Sequence, residues 1–339
     1  MKRIVFGLFV AFSLAYFAGA RQLVVYTYDS FVSWGPARAI EEKFEAMFPD
    51  VDLVWVAVGN SSEMLARLIA ELRLGTTQAD VFLGLADVEL PRALANEVFL
   101  PYDPEKIPNL SNVPTTLIFD RTGHVLSYDH GYVTFVYDSE LLPEKLVPKS
   151  LDDLLRPELR GKIILIDPRT SSPGLSFLLW TIAHYGEGWL DYWRKLIPNV
   201  LTITKGWSEA YDMFLAGEAP IVLSYSTDTA YSYIEHGSLR YRVITPDGEA
   251  YRQVEGMGIV RGTGEPELAH AFLNLVLSVE IQELIPTTQW MFPVNAKAKL
   301  PAGYEYAVIP EKPVSLDPEL VGAQLEEWLE LGQRLLIGG

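Results

Sequence analysis

The sequence predicts an α/β protein of two lobes, each a mainly parallel sheet flanked by helices. Short apolar strands alternate with helices in two separate series, the pattern of parallel sheets covered on both faces. Two long β-rich segments, Val125 to Tyr137 and Tyr251 to Val260, lie between the series and after the second, so they can carry the chain across and back. Length agrees. About 320 residues follow Ala20, more than the roughly 250–300 over which a single core keeps growing.

In order, Leu23 to Thr27 reads as a buried strand and Pro36 to Phe48 as a helix. Val51 to Val58 is a strand, Ser61 to Leu74 a helix and Val81 to Leu85 a strand. The second series pairs strand Ile163 to Ile166 with helix Gly174 to Tyr185. Strand Leu201 to Thr204 precedes helix Ser208 to Leu215, and strand Ile221 to Tyr225 precedes helix Thr229 to His236. Pro266 to Ser278 and Pro318 to Leu336 read as amphipathic helices. The predicted division is a first lobe of residues 21–127 plus 256–312 and a second of 128–255 plus the terminal helix within 313–339. No repeat, low-complexity tract or Ser/Gly-rich linker interrupts it. Hinged lobes joined by strands predict a cleft between them.

The first twenty residues read as an export signal peptide. Lys2 and Arg3 precede the apolar run Ile4 to Phe17, and Ala18-Gly19-Ala20 offers a small-x-small cleavage site. The chain has no cysteine, which excludes disulfides, thiolate metal sites, cysteine nucleophiles and lipid attachment at cysteine. A formal net charge of −17 argues against nucleic acid and suits a cationic ligand, although acidity also simply maintains solubility.

Reactive motifs are missing. The chain holds no G-x-S-x-G, H-E-x-x-H, P-loop or dinucleotide fingerprint, and its five histidines do not pair at metal-ligand spacing. The expectation is a protein that is not an enzyme and carries no cofactor or metal. A triad assembled from distant segments stays open, because its order in sequence is free.

Aromatic residues cluster where strands end and helices begin. Tyr26, Tyr28, Phe31 and Trp34 follow the first strand, Trp207 opens a helix in KGWSEAY, Tyr225 and Tyr231 bracket SYSTDTAY, and Trp290 sits in PTTQWMFPVN. In open parallel sheets the crevice lies beyond the carboxyl ends of the strands, so such rings would line it. Facing rings suit a flat cationic heterocycle, which gains about 2 kcal/mol or more over a desolvated indole or phenol face. DPRTSSPGL, Asp167 to Leu175, opens an apolar helix with free amides and the hydroxyls of Ser171 and Ser172. That is an anion site or an ordinary N-cap, and spacing alone favours the cap. Gly59-Asn60-Ser61-Ser62, between a strand and a helix, reads as a ligand loop or as another N-cap.

Taken in order, VYTYDSF, ADVFLGL, GYVTFVYD, DPRTSSPGL, TKGWSEAY, VLSYST and IPTTQWMFPV span nearly the whole chain beyond the signal segment. In this order they resemble the periplasmic thiamine-binding proteins of ABC transporters, in the type II periplasmic-binding-protein class. The resemblance implies two lobes closing over thiamine, thiamine monophosphate or thiamine diphosphate in the periplasm. It also implies delivery by a monomer to a membrane permease. By position, Tyr28, Trp207, Tyr225, Tyr231 and Trp290 become aromatic ligand contacts, and Ser171 with Ser172 meets the hydroxyethyl or phosphate end. Asn60 falls where the resemblance leads one to expect a carboxylate. The competing readings are a same-fold binder of ferric iron, a polyamine or a phosphonate, and a secreted hydrolase of a cationic aromatic substrate. A thiamine-degrading enzyme of this fold would use a cysteine, which the chain lacks.

Overall fold

The computed structural model describes residues 21–57 and 59–337. The predicted signal peptide, residues 1–20, lies outside the described residues, as does Val58, the predicted end of the second strand. The first series runs β1 (Arg21–Thr27), α1 (Asp29–Ser33), α2 (Ala37–Met47), β2 (Val51–Ala57), α3 (Ser61–Leu74), β3 (Val81–Ala86), α4 (Leu90–Ala95) and the short β4 (Phe99–Leu100). β5 (Val125–Asp138) leads into β6 (Ile163–Ile166), α5 (Ser172–Tyr185), α6 (Trp189–Leu196), β7 (Val200–Thr204), α7 (Trp207–Leu215), β8 (Ile221–Tyr225), α8 (Asp228–His236) and β9 (Tyr241–Ile244). β10 (Glu249–Val260) returns to α9 (Pro266–Val276), α10 (Val279–Gln282), α11 (Ile285–Thr288) and β11 (Phe292–Pro293). β12 (Lys312–Val314) and α12 (Pro318–Ile337) complete the described chain.

The expected helix Pro266 to Ser278 ends at Val276, and the Ser278 hydroxyl accepts from the Ile281 amide to cap the separate helix α10. Helices α5, α7 and α8 each begin one or two residues earlier than their apolar periodicity suggests. The reason is local. Ser172, Pro173, Trp207 and Asp228 sit in first turns, where residues need not follow the apolar stripe.

The strands follow the order β2-β1-β3-β10-β5-β8-β6-β7. β1 pairs parallel with β2 and β3, and β6 pairs parallel with β7 and β8. Between these halves β5 and β10 pair antiparallel with each other, and each is antiparallel to the half it borders. Two hydrophobic cores result. Leu23, Phe44, Phe82 and Phe272 belong to the first, and Phe135, Leu165, Trp180 and Phe214 to the second.

The β5–β10 pair runs through both. On β5, Val125, Leu126 and Tyr128 pack in the first core, and Val133, Phe135 and Val136 in the second. On β10, Tyr251 packs in the second core and Met257, Ile259 and Val260 in the first. The residues at the seam include Asp129, Gln253 and Glu255, all buried. The α12 helix contacts α6 on one side and α4 with the turn after β3 on the other.

One backbone position ties this frame to the cleft. Gly84 in β3 has φ of +114°, and a Cβ there would lie 2.4 Å from the Tyr28 ring. Both the conformation and the contact require glycine. Gly84→Ala is expected to destabilise the protein by about 1–3 kcal/mol, through strain and overpacking. Urea unfolding checks this, and an unchanged midpoint would refute it.

Candidate functional site

A cleft lined by residues of both lobes lies between them, the kind of place where small-molecule sites form. Its walls are built where parallel strands end. Tyr28 follows β1, Asn60 precedes α3, Ser171 and Ser172 join β6 to α5, Trp207 opens α7, and Tyr225 ends β8. Parallel βα units direct their helix N-termini to this edge, so amides and side chains converge there. Seven of the eight residues singled out in the sequence line this one cleft: Tyr28, Asn60, Ser171, Ser172, Trp207, Tyr225 and Trp290.

Tyr231 does not line it. It lies one turn into α8 and packs edge-on against Trp290, with ring centres 5.0 Å apart. It also contacts Tyr211 and Trp34. From there it braces the rings that do face the cleft.

The aromatic wall is shared between lobes. Trp207 stacks on Tyr211 at 4.8 Å and 18°, donates its indole N–H to Ser224 Oγ at 2.9 Å, and meets Trp34 of the first lobe edge-on at 5.7 Å. Trp34 lines the cleft but was not singled out beyond its aromatic cluster. Trp290 adopts φ of +58°, a left-handed conformation that costs a non-glycine residue of order 1 kcal/mol. Its amide donates to the Ile285 carbonyl at 3.0 Å, and its carbonyl accepts from Thr227 Oγ1 at 2.5 Å. These bonds hold the strained residue in place.

The two helix-start motifs meet across the opening. Ser171 is the N-cap residue of α5 but its side chain makes no cap hydrogen bond. The Ser172 amide instead donates to Ser61 Oγ of the first lobe at 3.2 Å. Asn60 Nδ2 donates to the Lys205 carbonyl at 3.2 Å, and Lys205 Nζ pairs with Glu63 at 2.8 Å. The lobes therefore touch in this structure. A Cβ at Gly206 would meet the Asn60 amide, which would have to move aside for the lobes to approach this closely.

Carboxylates mark the polar side of the cleft. Asp29, Asp228 and Glu255 line it, and none of its described lining residues is lysine or arginine. Glu255 Oε2 accepts from Tyr28 and Tyr128 hydroxyls, each at 2.6 Å, and its Oε1 accepts from Gln253 Nε2 at 2.9 Å. Gln289 Nε2 donates to the Tyr28 hydroxyl. Burial pushes the Asp228 carboxyl up to about 7, with partial opposition from bonds to Ser224 and the Tyr225 backbone. Sequence reasoning named Trp34 and Ser61 only within their motifs and missed Asp228, Glu255 and Gln289. Ser61 and Asp228 carried the same strand-to-helix signal as their chosen neighbours. Glu255 carried none, since it sits inside a strand.

Fold and site together define a two-lobed binding protein that encloses a small solute. Residues 31–283 match the model of the bacterial extracellular solute-binding protein family, to which the chain belongs. Among its relatives is a thiamine-binding periplasmic protein of Brucella abortus, 39% identical over 97% of this chain and 96% of that one. A thiamine-binding periplasmic protein of Salmonella typhimurium is 38% identical over 92% of each. The solved structure of a periplasmic thiamin binding protein matches with a TM-score of 0.84 and 37% identity, covering 93% of this chain and 96% of that one.

Asp228 gives the site a pH signature. The folded state holds a proton that the unfolded chain releases near the usual aspartate range, so stability falls as pH rises from about 4 to 7. Asp87 and Glu89, also pushed up to about 7 by burial, act in the same direction. Asp228→Asn is expected to raise the Tm of the ligand-free protein at pH ~8 more than at pH ~5. Equal shifts at both pH values would remove Asp228 from this account.

Proposed function

We propose that this protein captures thiamine or its phosphates in the periplasm and delivers it to an ABC importer, without catalysis and without a resident cofactor. The observation that carries this reading is a cleft walled by rings from both lobes, with carboxylates but no described lysine or arginine in its lining. A flat thiazolium against the rings of Trp207, Trp34 and Tyr225 gains cation–π attraction. Glu255, and Asp228 once ionised, supply the negative complement that Asn60 lacks. The α5 N-terminus, with Ser171 free of capping, meets the hydroxyethyl or phosphate end through its amides.

Closure follows from contacts made to both lobes at once, because a ligand shifts an equilibrium only by its preference for one state. The lobes move along the division predicted from sequence, with β5 and β10 as the hinge. Residues 1–20 direct export and are removed, and the mature chain acts as a monomer on its permease. Relatives named for thiamine at 38–39% identity support the choice of ligand.

Titration of the purified mature chain with thiamine, its mono- and diphosphate, and ferric ion, followed by tryptophan fluorescence and calorimetry, tests the reading. Thiamine compounds are expected to bind and to be recovered intact by chromatography. Trp207→Ala is expected to weaken binding by about 2 kcal/mol or more, roughly 30-fold. An unchanged affinity would take Trp207 out of the site. Gly206→Val, which meets Asn60 at the lobe contact, is expected to raise the dissociation rate and leave the thiamine-saturated protein with a larger radius of gyration in solution scattering. A wild-type rate and radius would show that the lobes need not approach so closely.

A further inference from the structure

Asp129 and Glu255 stand directly opposite each other on β5 and β10, the strands that join the lobes. The register shifts beside them and leaves Tyr128 as an extra residue on β5, a bulge that turns side chains locally. Cross-strand partners in such a pair hold their Cβ atoms about 4.5–5.5 Å apart. Asp129 has no solvent exposure, and neither of its carboxyl oxygens has a hydrogen-bond partner. Glu255 lines the cleft and accepts from Tyr28, Tyr128 and Gln253.

Three donors favour the charged form of Glu255, while nothing favours a charge on Asp129. Burial first, and Glu255 second, hold the Asp129 carboxyl well above the usual aspartate range. Burial also raises Glu255, against the bonds it accepts.

The surroundings supply no opposing cation. Tyr28 after β1, Tyr225 at the end of β8 and Tyr304 each feel Asp129 as a further obstacle to ionisation. Asp228 on α8 adds a negative neighbour to Tyr225 and Tyr304, and Asp87 and Glu89 in the turn after β3 feel Glu255. Arg252 on β10 acts on Asp87 and on His130, whose ring burial keeps neutral near neutral pH. Arg252 is not among the influences on Asp129 or Glu255.

We propose that Asp129 and Glu255 act as a carboxyl pair holding one proton beneath the cleft, and that capture of a cationic ligand expels that proton. This rests on the thiamine reading above. The proton sits on Asp129 and the charge on Glu255 in the empty protein. A positive heterocycle placed over the pair favours the second ionisation, so Asp129 loses its proton to solvent as the ligand enters. Affinity then rises with pH, and binding at a given pH responds to the hinge where the lobes pivot.

Calorimetry with thiamine chloride at pH ~6 to 8, above the range where its aminopyrimidine titrates, counts protons by comparing buffers of different ionisation heat. The wild type is expected to release on the order of one proton per thiamine, with affinity rising by up to about tenfold per pH unit. Asp129→Asn, folded as judged by its melting transition, is expected to release fewer protons than the wild type, leaving only what Asp228 gives up, and to show a flatter profile. In Glu255→Gln, with the neighbouring charge gone, affinity falls and the midpoint of the remaining rise moves to lower pH. This variant carries the test should Asp129→Asn not fold. Binding by the wild type with no proton release overturns the proposal, as does release undiminished in Asp129→Asn, which would belong to Asp228, Asp87 or Glu89. A wild type that takes up no thiamine at all overturns the functional reading beneath it.

Discussion

β5 and β10 must each pass through two hydrophobic cores without a break, and the rest of the molecule is arranged around that requirement. Their ladder pairs the backbones along the crossing except at the Tyr128 bulge, while the side chains change surroundings from one core to the other. At the seam neither apolar layer covers the strands. Asp129, Gln253 and Glu255 lie there, in positions where a leucine would have packed had the core been continuous. Polar groups in such a place are costly unless bonded or charged toward something. The seam is also the floor of the cleft, so the same constraint that joins the lobes sets the polarity of what they enclose.

The walls follow a different logic. Parallel βα units present their helix N-termini at one sheet edge, and two such edges face each other across the seam. Each wall therefore brings unpaired amides, small hydroxyl residues and a ring. Trp207 is fixed on one face by Tyr211 and at its N–H by Ser224. Trp290 is held in a strained conformation by one hydrogen bond to the Ile285 carbonyl and one from the Thr227 hydroxyl. Rings positioned this firmly lose little freedom when a ligand arrives, which favours affinity through preorganisation. The placement of charge is equally consistent. With no lysine or arginine among the described lining residues and three carboxylates in the lining, the polar groups of the cleft complement positive charge.

Much of the site was legible because its signals are local. A strand followed at once by a small polar or aromatic residue and then a helix locates Tyr28, Asn60, Ser171, Trp207 and Tyr225 at the sheet edge. Sequence near Thr227 could not separate Asp228, which faces the cleft, from Tyr231, which braces Trp290 from behind. The difference is a rotation about the α8 axis, and that phase is set by packing against Trp290 and Tyr211. Trp34 was visible as part of an aromatic cluster, but its contact with Trp207 joins residues from opposite lobes.

The amino-acid sequence by itself determined the two βα series, their crossover strands and the aromatic and hydroxyl residues at strand ends. These follow from periodicity and chain order, which act over a few residues. Tertiary structure alone decided that Glu255 and Asp129 stand opposite each other under the cleft, that Gly206 lets Asn60 approach, and that Tyr231 turns away. Each of these depends on the register between distant strands or the approach of separate lobes, and such distances are set by packing rather than by any neighbour along the chain.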